Sequence, residues 1–502
     1  MLKLLRYPFK LLWSLAQVLL ILALVLAIVA TMKITGYEQS VNEQALASKQ
    51  DYLKKIPAFS DIAESARPNI VFVLYDDLGY GDFSYTGSES IQTPNIDQLA
   101  ENGAVIEQFY SPAPICTPSR FGFLTGRHAE RGGMSHVVFP EGHNFDKFIR
   151  LRGLNVGIPS SEITLADILS AAGYKTSLIG KWHLGDQPGS RPNDMGFQHF
   201  YGSLYSNDME PFAFYRNNEI EIEAPVDQTK LSELYVRETK AFIESNKDSP
   251  FFLYLAHNFP HIPLFVRDER LGKSDAGLYG DVVQELDAGI GEIVQSLKDA
   301  GVYDNTIIII SSDNGPWYQG SPGNMRGRKG ETFEGGVHVP FVAHWPEGFC
   351  SGCRLDGMAS GLDLMPTIMD ILKLPRPQDR TIDGKSLLGF LQGESDSPHE
   401  FLYYLSGKAY GVRDARFKYM PERPIMYNLA GAPFGFGVKK GPWLFDLSKD
   451  QNESYNASAR HPEQLKRLEK AFQDKQKEMD QKPDGFHLHG LAVPMHKAGT
   501  TQ

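Results

Sequence analysis

Two pairs of acidic and amide side chains could bind a metal ion. Asp76 and Asp77 directly follow one short apolar run of the chain, and Asp313 and Asn314 follow another. Their carboxylate and amide oxygens are hard ligands, which suit calcium or magnesium better than zinc. Either pair alone is more often a turn or a helix cap. Two such pairs at one sheet edge weaken the turn interpretation, and both interpretations stay open.

A group of cationic side chains could bind an anion beside that metal. Its six members all fall in predicted loops: Lys181, His183, His261, Arg326, Arg328 and Lys329. Together with a metal ion, such a cluster would hold a tetrahedral anion and stabilise the charge that develops during its transfer. Ordinary surface cations are the alternative, and we prefer that interpretation for Arg326 and Arg328. For Lys181 and His183, which flank Trp182, both interpretations remain open.

Cys116 stands apart from the other two cysteines of the chain and could be a nucleophile. Pro118 suits the first turn of a helix, so Cys116 is expected near a helix N-terminus, where backbone N–H groups favour anions and thiolates. A cysteine hydrolase also needs a base and a residue that orients it, and no such pattern is evident here. A buried, inert cysteine is the alternative.

The elements that must position these side chains alternate between strand and helix patterns. Four short runs are apolar on both faces, as in a parallel sheet, and each leads into polar residues: 70–74, 176–179, 251–255 and 307–310. Helical patterns separate them at 96–100, 165–172 and 280–300, marked by Thr caps or terminal glycines. This alternation predicts an α/β domain over residues 67–375, with a large, mostly parallel sheet sandwiched by helices. Because ligands bind beyond the carboxyl ends of such strands, we expect the polar clusters at one edge.

The pattern changes after about Leu374. Residues 401–405, 410–419 and 443–447 resemble strands with no long helix between them, and residues 465–479 form a charged amphipathic helix pattern. We predict a smaller C-terminal antiparallel sheet packed by a helix, over residues 376–480. Residues 481–502 show no periodicity and are predicted to form a tail.

The N-terminus carries a candidate membrane segment. Residues 11–30 are almost wholly apolar and uncharged, which is about the length that a helix needs to cross a bilayer. Three basic residues precede the segment, so the N-terminus is expected to stay cytoplasmic and the remainder to be exported. A cleaved signal peptide is the alternative, but the stretch is long and lacks a clear small-x-small site. We favour a cytoplasmic segment, an uncleaved anchor and a polar stalk, over residues 1–10, 11–31 and 32–66.

Charge and cysteine content exclude some classes of partner and site. The chain has 502 residues and a formal net charge of -11 at pH 7. That charge argues against a general affinity for nucleic acid, which needs clustered Lys and Arg. Cys350 and Cys353 lack a second cysteine or histidine pair, so they form a poor zinc site. In an oxidising, exported compartment we expect them to form a disulfide.

Six ordered motifs resemble the formylglycine-dependent sulfatase family of the alkaline phosphatase superfamily. Cys-Thr-Pro-Ser-Arg at 116–120, with Leu-Thr-Gly-Arg at 124–127, is similar to the signature that directs oxidation of this cysteine to Cα-formylglycine. The other motifs are Lys-Trp-His-Leu-Gly at 181–185, Tyr-Asp-Asp-Leu-Gly-Tyr-Gly-Asp at 75–82, Ser-Asp-Asn-Gly at 312–315, Pro-His-Ile-Pro at 260–263 and Lys-Gly-Glu-Thr-Phe-Glu-Gly-Gly at 329–336. The likeness runs from about residue 67 to 447 and most resembles the branch of arylsulfatase A and N-acetylgalactosamine-6-sulfatase. It implies an alkaline phosphatase-like fold.

The resemblance implies a role for each matching residue. The implied ligands of one calcium ion are Asp76, Asp77, Asp313, Asn314 and modified Cys116. Lys181 and Lys329 would bind sulfate oxygens, and Arg120 would hold the modified residue in place. His183 would hydrogen-bond its hydroxyls, and His261 would protonate the leaving alcohol. One hydroxyl of the hydrated aldehyde would attack sulfur, and the other would then expel sulfate.

The implied function is hydrolysis of a sulfate monoester on a sugar or an aryl alcohol. The enzyme would be exported and membrane-anchored, with its catalytic domain on the periplasmic, extracellular or lumenal side. A formylglycine-generating enzyme would be its maturation partner. A phosphonate monoester or phosphodiester hydrolase of the same superfamily is the alternative enzyme, and a catalytically silent binding protein is the alternative class. Because all of the implied site residues are present, we do not favour a catalytically silent protein.

One segment departs from the family pattern and makes transfer of a substrate doubtful. Residues 137–158 are longer and richer in His, Phe and Arg than the resemblance leads us to expect. They could shape substrate entry. Trp317, Tyr318 and Phe139 offer faces on which a sugar ring could stack, and packing is the equal alternative for each.

Overall fold

The structure is a computed structural model that describes residues 6–59, 62–63, 66–407, 409–425 and 438–487. Its helices are α1 (Arg6–Thr35), α2 (Glu43–Lys55), α3 (Pro94–Asn102), α4 (Cys116–Thr125), α5 (Asn144–Leu151), α6 (Leu165–Ala171), α7 (Leu231–Asn246), α8 (Gly277–Asp299), α9 (Glu334–Val337), α10 (Leu364–Ile371), α11 (Leu388–Leu391) and α12 (Pro462–Gln481). Its strands are β1 (Asn69–Tyr75), β2 (Ala104–Tyr110), β3 (Lys175–Lys181), β4 (His199–Ser203), β5 (Phe214–Arg216), β6 (Glu219–Ile222), β7 (Phe251–Ala256), β8 (Thr306–Ser312), β9 (Phe341–His344), β10 (Cys353–Ser360), β11 (Leu402–Leu405), β12 (Ala409–Arg413), β13 (Phe417–Met420), β14 (Arg423–Ile425), β15 (Val438–Lys440) and β16 (Trp443–Asp446).

Ten strands form one mixed, mostly parallel sheet in the order β10-β2-β9-β8-β1-β7-β3-β4-β5-β6. Its centre, β8-β1-β7-β3, is parallel throughout, and Phe72 of β1 is level with Ile309 on one side and Tyr254 on the other. These four strands are the four apolar runs of the sequence, so their carboxyl ends share one edge. β9 runs antiparallel to both β8 and β2, and β2 therefore also ends at that edge.

Helices cover both faces of the large sheet. Along β1, Ile70, Phe72 and Leu74 belong to one buried apolar cluster, which includes residues of α4, α6 and α10. Val71 and Val73 belong to a second cluster, which includes residues of α3, α7 and α8. Because successive residues of a strand point to opposite faces, a strand covered on both sides is apolar at nearly every position. The predicted α/β fold class is confirmed.

A smaller antiparallel sheet follows, in the order β11-β12-β13-β16. α12 covers it through Leu468 and Phe472, which share a buried cluster with Val412 and Tyr419. The Phe472 ring lies edge-on to the Tyr419 ring, with centroids 5.6 Å apart. The predicted C-terminal sheet packed by a helix is confirmed.

The prediction of a single strand over residues 410–419 is wrong. The segment is divided into β12 and β13, which pair with each other as a hairpin. An Asp414 carboxylate oxygen accepts hydrogen bonds from the backbone N–H of Arg416 at 2.9 Å and of Phe417 at 2.6 Å. An aspartate that binds the backbone two and three residues further on stabilises a turn.

α1 projects from the rest of the protein. Residues Trp13–Thr35 form a stretch of 23 residues that is long and apolar enough to cross a membrane, with a mean hydropathy of 2.7. None of this apolar window is buried against the remainder of the chain. The length and composition of this helix fit both a membrane anchor and a signal sequence.

Part of the expected stalk packs on the sheet domain instead. α2 buries Ala45 and Lys49, and Lys49 Nζ lies 2.9 Å from an Asp167 carboxylate oxygen in α6. The Tyr52 hydroxyl donates a hydrogen bond to the Pro375 carbonyl at 2.7 Å. Ala45, Lys49 and Tyr52 lie on one side of the helix because their spacing is four and three residues. The polar composition of the segment concealed this packing face.

The two ends of the chain are described in part. Residues 1–5 of the expected cytoplasmic segment and residues 488–502 of the expected tail lie outside the described residues. Within the tail, the Phe486 ring centroid lies 5.1 Å from the guanidinium carbon of Arg127 and 5.0 Å from that of Arg380. The start of the tail therefore packs against the sheet domain.

Candidate active site

The carboxyl edge of the central strands gathers the chemically active side chains. Asp76 and Asp77 follow β1, Asp313 follows β8, and Lys181 is the last residue of β3. Cys116 is the first residue of α4, which follows β2. One potential ligand atom from each of Asp76, Asp77, Cys116 and Asp313 lies within 4.8 Å of all the others, and all four residues are buried. The structure thus brings together residues that are far apart in the sequence.

Arg120 ties three elements together beneath this cluster. It is fully buried, and its guanidinium Nε and Nη2 each lie 2.9 Å from Asp313 Oδ2. Its Nη1 donates to the Lys181 carbonyl at 2.9 Å, and Nη2 lies 3.8 Å from Asp76 Oδ1. A guanidinium presents several donors in one plane, so Arg120 fixes the ends of β8, β3 and β1 relative to α4.

Two lysines face the other carboxylates. Lys181 Nζ donates to Asp76 Oδ2. Lys329 Nζ lies 2.7 Å from Asp77 Oδ1 and 2.8 Å from its Oδ2. With Arg120, these cations balance the charge of the three carboxylates. A divalent cation would therefore leave the site positive and attractive to an anion.

Burial and neighbouring charges shift the titration of the site. Burial opposes ionisation of Asp76, but Lys181, His261 and a nearby guanidinium hold its pKa well below the ordinary range. Burial and the adjacent Asp76 raise the pKa of Asp313 to about 7. Burial, with Asp313 and Asp76, raises the pKa of the Cys116 thiol well above its ordinary value. Since the thiolate is the nucleophilic form, the thiol itself is poorly activated in this environment.

An oxygen without a partner indicates where a cation would fit. Asn314 Nδ2 donates to Asp77 Oδ1 at 2.8 Å and to the Gly315 carbonyl at 2.9 Å. Asn314 Oδ1 is buried and has no hydrogen-bond partner among the described residues. Buried acceptors are normally satisfied, and an amide oxygen beside three carboxylates is the donor set that calcium prefers. The residues present therefore fit a calcium ion.

His261 lies beside this cluster and is 8% exposed. Its Nδ1 is 2.5 Å from the Ile262 carbonyl oxygen, and its Nε2 is 3.7 Å from Asp77 Oδ2. Because a carbonyl can only accept a hydrogen bond, Nδ1 carries a proton. Nε2 is then the ring atom that can exchange a proton with a ligand.

His183 is buried against the wall of the site. Its Nε2 lies 3.1 Å from the Val138 carbonyl, so Nε2 carries the proton and donates it. Burial, then Lys181 and Arg120, lower the pKa of His183 well below its ordinary value. The ring is therefore neutral, and Nδ1 is an acceptor that has no partner within the described part of the chain. The Thr117 hydroxyl donates to the His183 carbonyl at 3.0 Å and joins this segment to α4.

The backbone is constrained where it carries the reactive side chains. Asp77 and His183 have φ angles of 64° and 59°, in the left-handed region. Such conformations cost about 1–3 kcal/mol each for residues other than glycine, and they concentrate at functional sites. Gly315 is needed for a close approach, because a Cβ there would lie 2.0 Å from the Gly335 carbonyl oxygen. This contact brings the segment that carries Lys329 up to the end of β8.

Arg326 and Arg328 hold loops rather than reaching the carboxylates. Arg326 Nη1 donates to the Glu453 carbonyl at 2.9 Å. Arg328 Nη1 donates to the Trp317 carbonyl at 2.7 Å and to the Gly320 carbonyl at 2.6 Å. Both arginines thus stabilise the backbone near the site without joining its cation cluster.

The aromatic side chains expected to line a substrate pocket fall into two groups. Trp317 and Tyr318 form an edge-to-face pair with centroids 4.8 Å apart and are 37% and 69% exposed. They present ring surface to solvent. Phe139 stacks on His143 at 5.0 Å and on Phe145 at 4.9 Å, so its ring is engaged in packing.

Sequence reasoning missed two residues that support the site, Thr117 and Asp82. The Asp82 carboxylate accepts hydrogen bonds from the Gly79 N–H at 2.7 Å, the Tyr279 hydroxyl at 2.6 Å and the Ser321 N–H at 2.8 Å. Burial raises its pKa to about 7, although these hydrogen bonds oppose the shift. Asp82 ties the loop after β1 to the loop after β8. Its place at the end of the motif 75–82 was the available signal.

Comparisons with known proteins match most of the chain to one family. A family model described as Sulfatase matches residues 68–374. Human arylsulfatase D is 32% identical over 503 aligned residues, which cover 78% of this chain and 83% of that protein. Rat N-acetylgalactosamine-6-sulfatase is 35% identical over 401 residues, which cover 74% of this chain and 75% of that protein.

Solved structures share the architecture. The PsFucS1 sulfatase from Pseudoalteromonas sp. superposes with a TM-score of 0.75 at 26% identity, covering 89% of this chain and 96% of that one. The phosphonate monoester hydrolase of Agrobacterium radiobacter superposes with a TM-score of 0.59 at 19% identity, covering 82% of this chain and 96% of that one. The second likeness is one of fold alone.

Proposed function

The chain belongs to the sulfatase family and is a sulfuric ester hydrolase. From this premise we propose that it hydrolyses sulfate monoesters of sugars or aryl alcohols. The nucleophile would be a formylglycine made from Cys116, and one calcium ion would assist it. The observation that carries the proposal is the buried cluster of Cys116 with three carboxylates, within 4.8 Å of one another. A sulfated sugar is the substrate that the name N-acetylgalactosamine-6-sulfatase gives for one relative.

Calcium would be held by Asp76, Asp77, Asp313 and Asn314, together with modified residue 116. When bound, the ion supplies positive charge that polarises a sulfate oxygen and favours an ionised hydroxyl at residue 116. The all-oxygen side-chain donors disfavour zinc, which prefers nitrogen and sulfur ligands. Asn314 Oδ1 has no hydrogen-bond partner among the described residues. A calcium ion would supply the missing partner, which supports this assignment.

Lys181 and Lys329 would bind the sulfate. Each ammonium group now contacts a carboxylate of the cluster, Asp76 or Asp77. With a cation bound among those carboxylates, Lys181 and Lys329 would have ammonium N–H donors available for an anion. Charge-assisted hydrogen bonds from two lysines would orient the sulfate and stabilise negative charge on its oxygens as the ester bond breaks.

His261 and His183 would have different roles in proton transfer and hydrogen bonding. His261 Nε2, which lies 3.7 Å from Asp77 Oδ2, would donate a proton to the leaving alcohol oxygen. His183 is neutral, so its Nδ1 would accept a hydrogen bond from a hydroxyl of residue 116. Arg120 would act as a positioning residue, because it binds Asp313 and the backbone of β3 rather than solvent.

The surroundings of Cys116 support a modified nucleophile. The Cys116 side chain is buried, and its Sγ lies 3.2 Å from Asp76 Oδ1. Burial and the neighbouring carboxylates disfavour a thiolate. The chemistry that a hydrated aldehyde supplies is a pair of hydroxyls on one carbon, one to attack sulfur and one to expel sulfate afterwards. Serine at this position would offer a single hydroxyl. A formylglycine-generating enzyme of the host would be required for maturation.

The catalytic domain would be exported and tethered by α1. Trp13–Thr35 is long enough to span a bilayer and is unburied in the structure. Basic residues precede this segment and favour a cytoplasmic N-terminus. The domain would then face the periplasm, the lumen or the exterior, where sulfated glycans are found.

Peptide mass spectrometry of protein from its native host tests the modification. The peptide that contains residue 116 should carry the aldehyde or its hydrate, and Cys116→Ala should abolish turnover while retaining the fold. Fully active enzyme whose residue 116 is only an unmodified thiol would contradict the proposal. Cys116→Ser is the matched control: it keeps one hydroxyl and should not sustain repeated turnover.

The phosphodiester alternative is tested by substrate preference. The matured protein should have a higher kcat/KM for a nitrophenyl sulfate than for bis-nitrophenyl phosphate. A phosphodiester places a second ester group on the reacting centre, which a site built for a terminal sulfate must exclude. A clear preference for the diester would overturn the substrate assignment while leaving the modified residue and the metal site standing.

A further inference from the structure

Helix α5 carries an apolar face that is turned away from the protein. Its buried residues include Ile149 and Arg150, whereas Phe145, Phe148 and Leu151 are 59%, 53% and 36% exposed. Residues three apart lie on the same side of a helix, so the three exposed side chains form one surface. A helix at the surface of a protein in water normally presents polar residues outward. The apolar outer face of α5 therefore requires a partner other than water.

The same helix is fixed to the end of α1. Tyr37, which follows α1, donates its hydroxyl to the Leu154 carbonyl at 2.7 Å. The Arg150 guanidinium carbon lies 5.4 Å from the Tyr37 ring centroid, and Arg150 Nε lies 2.9 Å from both carboxylate oxygens of Asp146. A buried ion pair within α5 thus helps to hold Tyr37, which lies two residues beyond the end of α1. The orientation of α5 relative to α1 is set by these contacts.

α5 lies beside the C-terminal end of α1. α1 and α5 are in contact, and the half-buried residues at the end of α1 are Ala30 and Ile34. Ala30 lies five residues before the last residue, Thr35, which is about 7.5 Å along a helix axis. Interfacial helices bury their apolar faces by about 5–10 Å at the boundary of headgroups and acyl chains. With α1 across a bilayer, α5 would lie at that depth.

The charges of α5 fit an anionic lipid surface. Lys147 and Arg152 are exposed beside the apolar face, and the Arg152 guanidinium carbon lies 5.8 Å from the Phe148 ring. The acidic residue of α5, Asp146, is buried and paired with Arg150. Basic residues that flank Phe and Leu are typical of helices that lie in the membrane interface.

We infer that α5 docks on the lipid bilayer beside α1, with Phe145, Phe148 and Leu151 among the upper acyl chains. The inference rests on the proposed anchoring by α1. Docking would also hold the active site close to the membrane. Val138 contacts His183 in the wall of the site, and Phe139, the next residue, stacks on Phe145 of α5 with centroids 4.9 Å apart.

A fluorescence experiment on the full chain in vesicles tests this inference. A polarity-sensitive fluorophore is attached to Phe148→Cys, and vesicles of phosphatidylcholine and phosphatidylglycerol carry a nitroxide quencher at the top or the bottom of the acyl chain. Tyr455→Cys, 77% exposed in the C-terminal part, is the matched control. Leu24→Cys, in the middle of the apolar segment of α1, reports anchoring independently. The native cysteines do not interfere, because Cys116 is buried and the other two are bonded to each other.

The inference predicts that the shallow quencher removes more than half of the fluorescence at residue 148 and leaves residue 455 unaffected. The deep quencher should act on residue 24.

If residue 24 is quenched while residue 148 stays open to an aqueous quencher, docking is refuted and anchoring stands. A label at 148 that is shielded from water but not quenched by lipid identifies a protein partner or a second copy and also refutes docking. No quenching at residue 24 refutes anchoring and docking together. Unchanged hydrolysis of a soluble nitrophenyl sulfate by each variant shows that the fold is intact.

Discussion

Replacing Lys418 with methionine should loosen the junction between the two sheets and disturb the segment that carries Lys329. Lys418, in β13 of the smaller sheet, is fully buried, and its Nζ lies 2.9 Å from Glu334 Oε1 and 2.9 Å from Glu453 Oε1. Glu334 begins α9, in the same motif as Lys329. Its backbone N–H donates to Glu453 Oε2 at 2.6 Å. Methionine preserves the length of the side chain and removes its charge.

The loss of stability in Lys418→Met depends on which partners Glu334 and Glu453 keep after Lys418 is replaced. Glu334 keeps the Arg413 guanidinium at 3.3 Å and two tyrosine hydroxyls, whereas Glu453 has no other ion pair among the described residues. At an effective dielectric constant near 20, an ion pair at this separation is worth ~6 kcal/mol of attraction. The desolvation cost of the ammonium group, several kcal/mol, disappears with Lys418. The net loss of stability should be ~2–4 kcal/mol near pH 8, made up of the charge-assisted hydrogen bond that Glu334 loses and a smaller cost at Glu453.

The effect should depend on pH with a definite sign. Burial and the adjacent Glu334 raise the pKa of Glu453 to about 7, although Lys418 opposes them. A carboxyl whose pKa is raised by folding stabilises the fold at low pH and loses that contribution as the pH rises through the folded pKa. Protonating an unpaired carboxylate costs ~1.4 kcal/mol for each pH unit above its ordinary pKa. With its pKa at about 7, Glu453 in the parent already bears ~3 kcal/mol of this cost near pH 8 and ~2 kcal/mol near pH 6. Loss of Lys418 can therefore add at most ~1.5 kcal/mol at Glu453 near pH 8 and almost nothing near pH 6.

The assay is urea unfolding of the parent and of Lys418→Met at both pH values, with activity on a nitrophenyl sulfate measured alongside. The KM should rise because the loop of Lys329 is less well held. Lys240→Met is the matched control, since Lys240 pairs with Glu292 at 3.2 Å on the surface, where such a pair contributes ~0–1 kcal/mol. Adding Glu453→Gln to Lys418→Met should restore at least half of the lost stability, because the unpaired charge is gone. A loss below ~1 kcal/mol at both pH values, or no recovery in the double variant, would refute the reasoning.

Three further predictions concern the site and the cysteine pair. Asn314→Ala should raise the calcium concentration needed for half-maximal activity by about tenfold or more, as measured by titration after chelation; an unchanged requirement would exclude this ligand. His261→Ala should lower kcat/KM by about 10²–10⁴ on alkyl and sugar sulfates and much less on a nitrophenyl sulfate, whose leaving group needs no proton. Equal losses on both substrates would argue against His261 as the acid. Cys350 and Cys353, which are bonded in the structure, should resist thiol labelling in denaturant until a reductant is added, and two reactive thiols before reduction would contradict the bond.

The central strands and the site-bearing motifs were predictable because their signals are local. β1 is apolar at every position after Asn69 and is buried throughout. β7 and β8 contain the same kind of run, and β3 contains a shorter one at residues 178–179. Each of these strands leads directly into a residue such as Asp76, Lys181 or Asp313. The sequence therefore shows, in consecutive residues, both the strand and the reactive side chain at its end. The rule that parallel strands share one carboxyl edge then brings the side chains together.

Other features required the folded chain because they depend on contacts between distant segments. β10 pairs with β2 across about 250 residues, and neither strand has a distinctive apolar run. Lys49 looked like a solvated residue of a stalk, yet it is buried against Asp167. For Arg326 and Arg328 the sequence favoured ordinary surface cations over anion ligands, and only the structure shows that their donors bind backbone carbonyls of neighbouring loops. Side-chain type alone does not determine which acceptor a cation finds.

By itself, the sequence determined the chemistry available to this protein: the carboxylates, the lysines, the histidines and Cys116, at the ends of recognisable strands. Tertiary structure alone decided which of them meet and in what state. Asp76 and Asp313 lie far apart in the chain. In the fold, burial opposes ionisation of both, but Lys181, His261 and a nearby guanidinium hold the pKa of Asp76 well below its ordinary range, whereas burial and Asp76 raise the pKa of Asp313 to about 7. The physical reason is that patterns of apolar residues are set by near neighbours, whereas desolvation and Coulomb interactions depend on distances that exist only in the folded chain.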